Sequence, residues 1–156
     1  MKRFAMYRLA ALALCACASY AQTASSGPTC TNQTLKGAYG VQVSGTRPAP
    51  SVLYTVAGFP GMTEQVIGVV VQIFDGSGTF TQTDNVKGSL SGITPDRPGS
   101  GTYSVNADCS GTYTLTNAGV PFPIVTRFVI VDGGLEFRAV VVSPQPLMIT
   151  ATGRKM

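Results

Sequence analysis

Three charged side chains fall on the strands of one short stretch that reads as a β-hairpin: Arg127, Glu136 and Arg138. Residues 124–131 and 135–142 read as its strands. A two-residue turn at Gly133-Gly134 then puts all three charges on one face, with Val129, Val131, Val140 and Val142. Arg138 stands between Glu136, two residues along its own strand, and Arg127, diagonally across. Facing a barrel lumen, one carboxylate and two guanidiniums among valines would suit an anionic or polar ligand. They would also suit cofactor-free acid–base chemistry of the isomerase or cyclase type. Glu136 would be the acid/base, and Arg127 and Arg138 would stabilise developing negative charge. Facing outward, the same trio is a surface ion pair worth about 0–1 kcal/mol. A three-residue turn over 132–134 would break the grouping.

Other spacings are weaker. Asp75-Gly76-Ser77-Gly78-Thr79 starts like a calcium loop, but Phe80 and Val86 stand where the sixth-position glycine and the twelfth-position acid belong. A hairpin turn accounts for it better. Gly88-Ser89-Leu90-Ser91-Gly92 has Leu90 where a nucleophile elbow needs its serine. The chain has no His to act as base, which leaves only a Ser/Lys pair through Lys87; a Gly/Ser loop is the simpler reading. The absence of His also removes most metal sites, so neither a metal nor a cofactor is expected. Asn32-Gln33-Thr34 fits a glycosylation sequon, which carries little weight behind a bacterial-looking signal.

That signal is the N-terminus. Lys2, Arg3 and Arg8 precede an Ala/Leu-rich run, Leu9 to Ser19, and Ser19-Tyr20-Ala21 offers small residues at the two positions a signal peptidase reads. Residues 1–21 are therefore read as an export signal and 22–35 as an extended lead-in, with residues 36–153 forming one β-domain. The apolar run is shorter than the roughly 20 residues of a membrane-spanning helix, and no transmembrane segment is expected in the mature chain. Leu14-Cys15-Ala16-Cys17 supports an alternative, a lipoprotein anchored through Cys17. The formal charge of +4 belongs largely to the signal. Beyond it, eight basic residues face seven acidic ones, a net +1, and no basic run argues for nucleic acid. Cys30 and Cys109 are the two thiols left. In an oxidising compartment, periplasmic or extracellular, they read as a disulfide. Closing a loop of roughly 80 residues would contribute about 4 kcal/mol.

Short β-rich runs separated by turn signals make the domain all-β. The strands are read as Ala38–Ser44, Val66–Phe74, Thr79–Asp84, Gly101–Val105, Gly111–Thr116, Ile124–Val131, Leu135–Val142 and Leu147–Thr152, with Val52–Ala57 a weaker ninth. Val66–Phe74 is apolar on both faces, which predicts a doubly covered strand. Residues 87–100, dense in Gly and Pro, predict a long loop. Tyr103 is placed opposite Tyr113, which puts Tyr103, Val105, Tyr113 and Leu115 on one side and Cys109 in the turn. About eight strands in meander order predict an antiparallel up-and-down barrel, with a two-sheet β-sandwich as the alternative. An outer-membrane barrel fits poorly, because several strands read as about six or seven residues against the 9–11 needed to cross. The chain also ends Gly153-Arg154-Lys155-Met156, without an aromatic girdle residue.

Phe74-Asp75-Gly76-Ser77-Gly78-Thr79, with Gly101-Thr102-Tyr103-Ser104-Val105-Asn106-Ala107-Asp108-Cys109-Ser110-Gly111-Thr112, resembles a group of exported bacterial β-proteins with no assigned activity. The likeness spans most of residues 30–152. It implies an exported barrel-like domain with a disulfide, and no substrate or catalytic residues. By strand count alone, the barrel is also similar to the calycin and allene-oxide-cyclase-like barrels. The leading expectation is thus a non-enzymatic exported barrel binding a small apolar, amphipathic or anionic ligand. Beside it stand the lumenal isomerase or cyclase and a structural or adhesive envelope subunit. The last would use a second apolar face to form a homo-oligomer.

Overall fold

A computed structural model describes Gly27, residues 29–50 and residues 61–156. The export signal, Cys17, most of the lead-in and the Val52–Ala57 segment lie outside the described residues. Eight strands run in meander order: β1 (Gly37–Pro48), β2 (Thr63–Phe74), β3 (Thr79–Gly88), β4 (Gly92–Val105), β5 (Ser110–Asn117), β6 (Ile124–Val131), β7 (Glu136–Ser143) and β8 (Met148–Lys155). Every neighbouring pair is antiparallel, and β8 pairs back onto β1 to close the barrel. Closure leaves the sheet no first or last strand. The barrel of the sequence reading is what forms; the sandwich is not.

Alternation sets the inside. Tyr39 and Val41 on β1, Phe80, Gln82, Asp84 and Val86 on β3, and Tyr113, Leu115 and Asn117 on β5 all point inward and are buried. The Tyr103–Tyr113 register is as expected, with Val105 opposite Gly111. Phe80, Tyr103 and Tyr113, each following a Gly-Thr pair, all enter the core.

Two expectations fail for instructive reasons. Residues 92–100 are strand, not loop. Pro95 and Pro98 fit because the ladder to β5 begins only at Gly99, so the first half of β4 pairs with β3 alone, like an edge strand. β2 is not covered on both faces among the described residues. Its outward Ile67, Val69, Val71 and Ile73 are 41% to 63% exposed. They form a single-file stripe between Gln42 and Ser44 of β1 and Thr83, Asn85 and Lys87 of β3.

The strands are 8 to 14 residues long, longer than several of the sequence runs. Strand length therefore does not argue against membrane crossing. The interior is the aromatic side, whereas a membrane-spanning barrel carries its aromatic and apolar band outside and a polar interior. No helix among the described residues is long and apolar enough to cross a membrane.

One end of the barrel is sealed. A 3-10 turn, Asn32–Leu35, crosses it and buries Leu35 and Cys30 against seven packed rings: Tyr39, Phe74, Phe80, Tyr103, Tyr113, Phe128 and Phe137. Phe74 meets Tyr39, Phe80, Tyr103 and Phe137 at centroid distances of 5.0 to 5.9 Å, mostly edge-on, the arrangement aromatic quadrupoles favour. The seal is stitched by polar contacts. Asn32 Oδ1 accepts from the Val105 N–H at 2.8 Å, Tyr103 donates to the Asn32 carbonyl at 3.1 Å, and Tyr39 donates to the Gly134 carbonyl. Cys30 and Cys109 are disulfide-bonded, Cα atoms 4.9 Å apart, which ties the lead-in to the β4–β5 turn.

Candidate functional site

The other half of the barrel is hollow. A cavity of about 570 Å³ opens between the β1–β2, β5–β6 and β7–β8 connections. Its walls are mostly short apolar side chains, among them Val41, Val70, Val86, Leu115, Val141 and Ala151. Tyr113, whose ring stacks against Phe128 at 6.0 Å, belongs both to the aromatic packing and to the cavity lining.

The polar residues of this half arise from cross-strand register. Gln72 of β2 pairs with Gln82 of β3, Gln82 with Gly99 of β4, and Gly99 with Asn117 of β5. Gly99 is the gap that makes this row continuous. A Cβ there would collide with Asn117 Oδ1 and Gln82 Cγ, so only glycine lets the two amides meet across β4. Gln82 Nε2 donates to Asn117 Oδ1 at 3.1 Å, and Gln72 Nε2 donates to Gln82 Oε1 at 2.8 Å. Asp84, directly opposite Arg97, accepts both guanidinium arms at 3.0 Å, plus Gln82 Nε2 at 3.2 Å and Asn117 Nδ2 at 3.3 Å. A buried carboxylate is tolerated only where donors surround it in this way.

A second ion pair sits at the rim. Arg47 and Glu64 are cross-strand partners on β1 and β2, 2.7 Å apart. Glu64 is buried and also accepts from Leu90 N–H at 3.1 Å, Ser91 N–H at 2.9 Å and the Ser91 hydroxyl at 2.8 Å. Burial pushes its pKa up. The Arg47 guanidinium and the Ser91 and Leu90 donors outweigh that and hold it below the ordinary carboxylate range. The Gly88–Gly92 stretch is therefore a carboxylate cradle: Gly88 leaves room for Glu64, and Ser91 turns its hydroxyl to it. Lys87 lies on the outer wall beside Ile67, so no Ser/Lys pair forms with Ser91.

Asp75 uses its carboxylate on its own turn, accepting Ser77 N–H at 2.7 Å, Gly78 N–H at 2.9 Å and Thr79 N–H at 3.0 Å. The Ser77 and Thr79 hydroxyls add to this and drive its pKa far below the usual carboxylate value. The segment is a hairpin turn, as its sequence suggests.

Arg127, Glu136 and Arg138 share one face, in the expected register: Val131 opposite Glu136, Val129 opposite Arg138, Arg127 opposite Val140. That face is the outer one. Thr126, Phe128, Ile130, Phe137 and Ala139 take the inward positions and are buried. Glu136 and Arg138 pair at 3.0 Å, with the Arg138 side chain 69% exposed. Arg127 and Arg138 border a shallow outer groove with Asn106, Ser110 and Thr112. Glu136 is thus outside the lumen in which acid–base chemistry was considered for it.

The lumenal residues Gln72, Gln82, Asp84, Arg97, Asn117, Tyr113 and Thr126 were missed as a site. Strand parity could have found part of it: once Phe80 is inward, Gln82 and Asp84 must be inward too. Comparison with protein-family models, curated proteins and solved structures finds no match for this chain.

Proposed function

We propose that this protein is an exported barrel that holds one small apolar or amphipathic molecule in its hollow half. The observation that carries the reading is the cavity of about 570 Å³, sealed at one end by packed rings. Small-molecule sites run to about 300–1,000 Å³, mostly apolar with a few placed polar groups. The charged n-region, the Ala/Leu run, the small residues before Gln22 and the Cys30–Cys109 bond support export, into the periplasm or medium or onto a lipid anchor at Cys17. Native mass spectrometry of the protein purified from an exporting host tests it. A non-covalent adduct of defined mass is expected, and a bare polypeptide that takes up nothing from a lipid and metabolite panel contradicts it.

Two outer features support secondary roles. The stripe Ile67, Val69, Val71 and Ile73 favours a structural or adhesive subunit that oligomerises, which a strictly monomeric species at micromolar concentration would rule out. The groove between Arg127 and Arg138 favours a weak anion site with Glu136 at its edge. Loss of anion-dependent stabilisation in Arg127→Ala would support it.

A further inference from the structure

Among the described residues, two buried side-chain oxygens of the hollow half have no hydrogen-bond partner, Gln72 Oε1 and Thr126 Oγ1. Gln72 is 3% exposed and Thr126 1%, and both line the cavity. Thr126 lies directly opposite Tyr113 in the β5–β6 ladder, and Gln72 lines the same cavity as the Tyr113 phenol. Neither oxygen reaches that phenol in hydrogen-bond geometry. A buried polar atom left unmade weakens the fold, so a bound group that completes it gains directly.

The direction of the Gln72 amide is set from a distance. Asp84 accepts only, so Gln82 and Asn117 must both turn their amide nitrogens to it. Gln82 Oε1 then faces β2 and takes the Gln72 N–H, which leaves Gln72 presenting its carbonyl oxygen. Among the described residues, the charges of this half are already matched: Arg97 by Asp84, and Arg47 by Glu64. A charged head group would lose its water here and find no counter-ion.

Building on the lumen-binding reading above, we propose that the ligand is a neutral alcohol: an apolar body carrying a hydroxyl that donates to Gln72 Oε1 and accepts from the Thr126 hydroxyl. A hydroxyl is the smallest uncharged group that completes both atoms at once. An ether, which donates nothing, completes only Thr126. A carboxylate brings a charge and no donor.

Calorimetric titration of the exported protein with decan-1-ol, 1-methoxydecane and decanoate at neutral pH tests this. Decan-1-ol is expected to bind about tenfold tighter than the ether, the value of one net hydrogen bond. Decanoate is expected to bind weakest. In Thr126→Val both ligands lose the Thr126 bond, so the alcohol should keep its roughly tenfold lead while both weaken; in Thr126→Val combined with Gln72→Leu that lead should vanish. Retained ether binding shows that these variants are folded, and Thr126→Val, which removes an orphaned hydroxyl, should melt no lower than the parent. Equal affinity for alcohol and ether, or tightest binding of decanoate, overturns the alcohol assignment while the lumen reading stands. Binding of none of the three overturns the lumen reading and this inference with it.

Discussion

The two ends of this barrel share strands, twist and alternation, yet one end is packed and the other is hollow. At the sealed end the inward positions carry Phe74, Phe80, Phe128 and Phe137, long enough to meet across the axis. At the hollow end the same positions carry Val41, Val70, Val86 and Ala139, too short to meet, and Gln82, Asp84 and Asn117, which satisfy one another along the wall. An eight-stranded barrel is just wide enough to be filled by side chains or to keep room for one ligand. Residue size, not topology, makes that choice here.

The comparison can be broken most forcefully at the sealed end. Phe137→Ala should cost about 3–5 kcal/mol, whereas Leu115→Ala, beside space that already exists, should cost about 2 kcal/mol, near the low end for such truncations. Urea midpoints at constant m-value measure both. Equal costs would mean that the two halves are packed alike.

Removing the disulfide by Cys30→Ser with Cys109→Ser comes next. The bond joins residues 79 apart and constrains the unfolded chain by about 4 kcal/mol. Because it secures the sealed end, the variant should still bind decan-1-ol at temperatures where it is folded. Loss of binding in the folded variant would show that the two ends are coupled.

The rim carboxylate gives a smaller, pH-dependent effect. Glu64→Gln should cost about 2 kcal/mol at pH 7, because Arg47 is part-exposed and recovers some solvation. Glu64 has a depressed pKa in the folded state, so its contribution is present above the ordinary carboxylate pKa of about 4 and is lost as pH falls through the lower folded value. Denaturation curves across pH should show the parent and Glu64→Gln converging in acid. A gap that stays constant would remove the pair from the account.

The outer trio marks the low end. Arg138→Ala should change stability by less than about 1 kcal/mol, since its pair with Glu136 is exposed and screened. It should also leave decan-1-ol affinity unchanged.

The fold was legible because its signals are local. Gly-Thr-aromatic starts, the Asp75 and Asp132 turns and strict alternation fix strand parity, and parity fixed the Tyr103–Tyr113 register. The β6–β7 register was legible too, but not which of its faces turns inward. Both faces carry valines or larger apolar groups, and Phe128 and Phe137 win the interior because rings gain more by burial than the valines beside Arg127 and Arg138. The lumenal polar set was hidden for another reason. Arg97 lies in a Pro/Gly-rich run that becomes strand only because it pairs on one side, and without that strand Asp84 has no visible partner. Gly99 reads as a breaker, yet its lack of a side chain is what joins the amide row.

The most direct test of the central claim is a methyl-labelled NMR titration of the exported protein with decan-1-ol. The account expects saturable shifts at Val70, Leu115 and Val141, with Leu35 at the sealed end and Val69 on the outer stripe unmoved. Shifts confined to Ile67, Val69, Val71 and Ile73 would place binding on the outer wall and contradict it.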